Sequence, residues 1–302
     1  MSGPIVIVGV PTALGGHLSG MELTPRGLRD LGLIDGLRAS ESLAGAELRD
    51  AGDLRIEPGF VADGDRRAKN RSLICEFLPR EGLLVAGAVA EAGEGARLMV
   101  LGGDCTAHAG ALAGLRATRP TARFALAWFD AHGDFNTPDT TPSGNVWGMP
   151  FAMICGRGDR DLVAACSGPT VRAEDAALVG GQVLDETESR TLAASRIAHF
   201  GAGMIGTDAG LSALDAWART VAIRADALYV AFDMDCLDAA GGWAVTMPEP
   251  NGLSLETAVE AVGALAAAIP VVGFGPTGIT LANGDGPKTV EAVVALTEAA
   301  FG

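Results

Sequence analysis

The stretch FDAHGDFN, residues 129–136, sets Asp130, His132 and Asp134 at every second position. A second alternating set, Asp233 and Asp235, closes the run ALYVAFDMDCLD, and RLMVLGGDCT ends in Asp104 and Cys105. Carboxylates gathered with one imidazole and one thiol have little use for one another, because like charges held together cannot all stay ionised without a compensating cation. Oxygen-rich sites with a little nitrogen suit Mn²⁺ or Mg²⁺. Taken singly, each Asp reads equally well as a solvated turn residue. Two alternating sets behind separate buried strands do not, given the cost of collecting unpaired carboxylates.

Each of these motifs follows an apolar run, and that placement says what must position it. Short apolar runs read as strands at PIVIVGV, RLMVLGG, FALAWFD, AALVGG, IAHFGA, ALYVAFDMD and PVVGFG. Helical stretches lie between them: TPRGLRDLGLIDGLR, REGLLVAGAVAEAGEG, AGALAGLRAT and LSLETAVEAVGALAAAI. This alternation predicts an α/β fold, a doubly wound and mostly parallel sheet with helices on both faces, spanning residues 1–302 as a single domain. In such a sheet the carboxyl ends of the strands form the ligand crevice. Strand alternation would put Asp130, His132 and Asp134 on one side, with Asp233 and Asp235 facing them. The polar stretches 52–72 and 136–150 read as long loops, a length associated with function.

Composition narrows the partners. With 302 residues and 48% hydrophobic content the chain can bury a large core. A formal net charge of −15 without a Lys/Arg cluster disfavours nucleic acid and anionic membrane, and favours a small or cationic ligand. The start, MSGPIVIVGVP, lacks the pattern of a signal peptide, which points to a cytoplasmic protein. Five scattered cysteines without CxxC spacing argue against a disulfide framework.

The combined motifs resemble the arginase and agmatinase family, the ureohydrolases, over nearly the whole chain: GVPTALGG, TPRGLRDLGL, VLGGDCT, FDAHGDFNTPDTTPSGN and AFDMDCLD. The resemblance implies an arginase-like three-layer α/β/α fold assembled into homo-oligomers, trimers or hexamers. It also implies hydrolysis of a linear C–N bond in a guanidino, hydroxyguanidino or amidino compound by a hydroxide activated at two Mn(II) ions. By motif, Asp130 and Asp233 bridge the ions, Asp134 and Cys105 complete one, and His132 and Asp235 the other. Asn136, Thr141, Ser143 and Asn145 match positions that hold the amino-acid end of a substrate; as a bland alternative they cap turns. A catalytically attenuated protein with a binding or assembly role is the competing expectation.

The chain departs from the family pattern in several places. Cys105 replaces a histidine ligand, as in hydroxyarginine hydrolases of antibiotic biosynthesis, and a thiolate is softer than imidazole. His108, three residues on, is a candidate substitute ligand, but its register off the strand points it elsewhere. Trp147 replaces a histidine that shuttles protons, and is read as cavity wall. No acid stands near Gly278, where arginases carry a glutamate, and the acidic patch expected after IAHFGA is reduced to Asp208. The string GFGPTG, residues 273–278, fits GxGxxG, but Pro276 and the extended stretch after it argue against nucleotide binding.

Overall fold

Interior strands buried on both faces need apolar residues at every position, and β4 shows why. Phe124, Leu126 and Trp128 enter one core, while Ala125, Ala127 and Phe129 enter the other. The computed structural model describes residues 3–56 and 65–302. Its strands are β1 (Ile5–Val10), β2 (Leu48–Asp53), β3 (Arg97–Gly102), β4 (Phe124–Asp130), β5 (Val171–Gly180), β6 (Ala198–Gly201), β7 (Ala227–Asp233) and β8 (Val271–Thr277). They form one sheet in the order β2-β1-β3-β8-β7-β4-β5-β6, with every pairing parallel.

Helices Arg71–Ala92 and Ala107–Thr118 cover one face through Phe77, Val85 and Leu112. Helices Leu255–Ala268 and Gly286–Phe301 cover the other through Ala258, Leu265, Val293 and Leu296. β3 and β4 follow one another in the chain, yet β8 and β7 lie between them in the sheet. The chain order reverses there, and a crevice opens at the carboxyl ends of those four strands.

Three expectations are corrected. β2, with the sequence LRDAGD, lies inside the stretch read as a loop from residue 52 and just before it. It is a half-exposed edge strand whose residues carry no apolar signal. Residues 57–64 of that stretch lie outside the described residues. The single helix expected over TPRGLRDLGLIDGLR is two, Thr24–Asp30 and Leu33–Ala39, parted at Gly32, whose φ of 90° takes the left-handed conformation open to glycine. The helix read from Arg80 begins at Arg71 and continues through Pro79.

Between helices Arg71–Ala92 and Ala107–Thr118 lies an oddity: Glu81 is fully buried, and neither carboxyl oxygen has a partner in hydrogen-bonding geometry. Burial, then the Asp104 carboxylate, push its pKa well above the usual range. A folded-state pKa above the unfolded one means that stability is complete below the unfolded pKa and is lost as pH rises through the folded one. Glu81→Met, which removes the buried carboxyl at similar volume, should therefore stabilise the protein by on the order of 1–3 kcal/mol. The gain should be larger at pH 8 than at pH 5 in urea unfolding.

Candidate metal centre

The alternating acids converge, though not by strand pleating. β4 ends at Asp130 and β7 at Asp233, so His132 lies in a turn and Asp235 in a single 3-10 turn, Met234–Cys236. Each terminal aspartate organises its own turn: Asp130 Oδ1 accepts from the His132 amide at 2.7 Å, and Asp233 Oδ1 from the Asp235 amide at 2.9 Å. Such Asx turns make the first ligand of each motif the brace for the second. Asp134 then reaches the site from a left-handed backbone, φ 47°. Trp128 Nε1 donates to Asp130 Oδ2 at 3.0 Å, and the Ala131 amide to Asp235 Oδ1 at 3.1 Å.

Two donor groups result, each with its ligand atoms within 4.8 Å of one another: Cys105, Asp130 and Asp233, and Asp130, His132 and Asp235. Cys105 Sγ lies 2.8 Å from Asp233 Oδ2. His132 Nδ1 lies 3.3 Å from Asp130 Oδ1 and 3.1 Å from Asp235 Oδ2, while its Nε2 faces Glu249 at 3.8 Å. Asp134 Oδ2 is buried without a hydrogen-bond partner.

The electrostatics carry the mark of a missing positive charge. Burial, then Asp235, raise Asp130 to about 6. Burial first, with Asp130 next for Asp134 and Asp235 next for Asp233, pushes both far above the usual carboxylate range. Burial and then Asp233 raise the Cys105 thiol well above its ordinary value. Burial works against the His132 imidazolium, but Asp130 and Asp235 outweigh it and raise its pKa. Divalent cations among these atoms would relieve the repulsion among the carboxylates and take the place of the His132 and Cys105 protons, so the donor set fits a metal.

Other expectations divide. Asp104 is buried and spends its carboxylate on the amides of Gly15 and Thr106, which fixes loops and leaves it no role as a ligand. His108 is no substitute ligand: it turns away from the cavity, to Tyr229 and Thr277. Asp208 starts the helix Asp208–Ala222 and does not line the cavity.

The cluster floors a cavity of about 330 Å³ that Asn136, Thr141, Ser143, Asn145 and Trp147 also line. The loop residues are engaged in turns as well: Thr141 Oγ1 accepts from the Gly144 amide and Ser143 Oγ from the Asn145 amide. Trp147 is wall, seated where Gly16 has no side chain, since a Cβ there would meet its ring at 1.9 Å.

Residues that the motifs did not flag complete the lining. Asp185 and Glu188, from the segment after β5, both accept from Asn136 Nδ2, at 3.1 and 3.2 Å. Burial raises Glu188 to about 7, against the pull of the Phe135 amide. The cavity's further acids thus come from the segment after β5 and not from the one after β6, and nothing local in LDETE marks them. His17 packs on Trp147 with ring centroids 5.5 Å apart, and its Nδ1 is 2.9 Å from Asn145 Nδ2.

The arginase family model matches residues 3–299. The chain belongs to the arginase family. It is 29% identical to an arginase of Bacillus caldovelox over 303 residues, 99% of this chain and 98% of that protein. The native structure of Bacillus caldovelox arginase at pH 5.6 superposes with a TM-score of 0.89 at 28% identity, covering 99% of this chain and 98% of that one. A Bacillus cereus arginase structure gives 0.87 at 27%, covering 100% and 99%. Within this arginase-family hydrolase, Gly278 explains part of the cavity's shape. Its φ is +70°, and a Cβ would lie 2.1 Å from Asp233 Oδ1. Gly278→Ala should therefore displace Asp233, weaken any binding of added divalent cation in calorimetry, and cost on the order of 1–3 kcal/mol in urea unfolding.

Proposed function

We propose that the protein hydrolyses a linear C–N bond in a guanidino or hydroxyguanidino compound that carries an amino-acid end, using two divalent cations, with manganese as the first choice. The observation that carries this reading is the position of Asp130, whose carboxylate belongs to both donor groups. Asp130, Asp233, Cys105, Asp134, His132 and Asp235 are the residues that would hold the two cations, with Asp130 placed to serve both donor groups. Two cations held there would lower the pKa of a shared water and so supply a nucleophile at neutral pH.

The remaining residues bind and orient. Asp185 and Glu188, bridged by Asn136, offer negative charge to a substrate ammonium. The Thr141, Ser143 and Asn145 side chains offer neutral hydrogen bonds to its carboxylate, as suits a zwitterion. Trp147 and His17 wall the cavity on one side. Indole does not titrate, so among the described lining residues outside the ligand set His17 is the imidazole available to pass a proton to the leaving amine.

The test is release of urea or hydroxyurea from hydroxyarginine, arginine, agmatine and guanidinobutyrate by protein loaded with Mn²⁺. Turnover of at least one supports the reading. Full metal occupancy with no turnover of any would overturn it in favour of an attenuated family member.

A further inference from the structure

Behind the cluster, glycines make room for a buried polar chain. A Cβ at Gly273 would lie 2.5 Å from Tyr229 Cδ2, one at Gly275 3.0 Å from His108 Cε1, and one at Gly102 2.6 Å from Thr277 Cγ2. The glycines of GFGPTG thus seat side chains and cradle no phosphate. Tyr229 Oη lies 3.0 Å from His108 Nδ1, His108 Nε2 3.1 Å from Thr277 Oγ1, and Thr277 Oγ1 3.4 Å from Cys105 Sγ. Tyr229, His108 and Thr277 are wholly buried.

Burial lowers His108 to about 3, so its ring is neutral and carries one N–H. Among the described residues the Tyr229 hydroxyl has only Nδ1 to donate to. The ring proton then sits on Nε2 and is donated to Thr277 Oγ1, and the Thr277 proton is left for the Cys105 sulfur. The direction of each hydrogen bond fixes the next.

We propose that His108 is a positioning residue for Cys105: through Thr277 it holds a hydroxyl donor on the sulfur and keeps that side chain turned toward Asp233 and Asp130, ready for a metal. This rests on the ligand role given to Cys105 above. Partners behind a metal ligand commonly set its orientation, and their loss costs 10–100-fold in affinity.

The test uses Co²⁺ as the probe, read by calorimetry and by the thiolate-to-cobalt charge-transfer band. Thr277→Val and His108→Phe should each weaken one of the two bound ions about 10–100-fold and shift or diminish the band, leaving the other ion unchanged. Thr277→Ser should restore wild-type behaviour, because it keeps the hydroxyl. A purely structural network would move the melting temperature of the metal-free protein but leave the band in place. If His108→Phe does not fold, a folded Thr277→Val decides the matter. An unchanged band and unchanged affinities in Thr277→Val overturn the inference alone. A wild-type protein that binds Co²⁺ without the band overturns the ligand role of Cys105 and this inference together, and one that binds no metal overturns the functional reading with it.

Discussion

Replacing Asp130 with asparagine should lower hydrolysis by at least about a thousandfold, ~4 kcal/mol of transition-state stabilisation. The other candidate ligands each join a single donor group or approach from outside, whereas Asp130 stands in both. An amide keeps the turn's hydrogen bond from the His132 amide, gives up the one from Trp128 Nε1, and removes the charge that two cations would share. The same change should have the opposite sign on the metal-free protein. There it relieves repulsion with Asp134 and Asp233, so its melting temperature should equal or exceed that of the wild type. Adding Mn²⁺ should raise the wild-type melting temperature and leave the variant almost unmoved. Steady-state hydrolysis and thermal melts with and without metal check both halves. A variant that retains metal-dependent stabilisation and activity would remove Asp130 from the centre of the mechanism.

Arginine should be hydrolysed about 10²–10³-fold less efficiently than hydroxyarginine, in kcat/KM. Once the cluster's carboxylates are committed to cations, Asp104 is spent on backbone amides, and Asp185 and Glu188 sit with Asn136 on the loop side. Gly278 has no side chain to offer, its neighbour Thr246 offers a hydroxyl and no carboxylate, and Trp147 cannot exchange a proton. A fully charged guanidinium desolvated there without a carboxylate costs several kcal/mol, on the order of that ratio. A hydroxyguanidine is less basic, avoids much of the cost and provides a better leaving group. The comparison is made at saturating Mn²⁺ by following ornithine from both substrates. Equal efficiencies would show that the charge is met by a group this reading leaves out.

How much of this could be read from the chain alone depended on where the signal sits. The two acidic motifs that the structure brings together were legible because each is continuous in sequence behind a run such as FALAWF, whose burial on two faces demands apolar residues throughout. The mechanism of convergence was not legible: period two suggested a pleated strand, where the structure has turns braced by Asp130 and Asp233. β2 escaped because an edge strand half in solvent needs few apolar residues, and LRDAGD has almost none. Asp185 and Glu188 escaped because nothing local in LDETE says that β5 lies beside β4. His108 was legible as a residue whose register off the strand points away from the site, and the first turn of its helix does carry it to Tyr229 and Thr277.

Chain order and sheet order disagree at the cluster: β4 and β7 are adjacent in the sheet but far apart in the chain, and Cys105 and Asp233, 128 residues apart, stand at the ends of strands that β8 separates. β7 must slot between β8 and β4 before the ligands can meet, and pairings of such long sequence separation form late in folding. A cation that recognises only the finished arrangement has little to hold in the transition state. If the proposed centre binds a divalent cation, the cation should therefore leave the refolding limb of a chevron nearly in place and slow the unfolding limb, acting as a brake on escape from the native state.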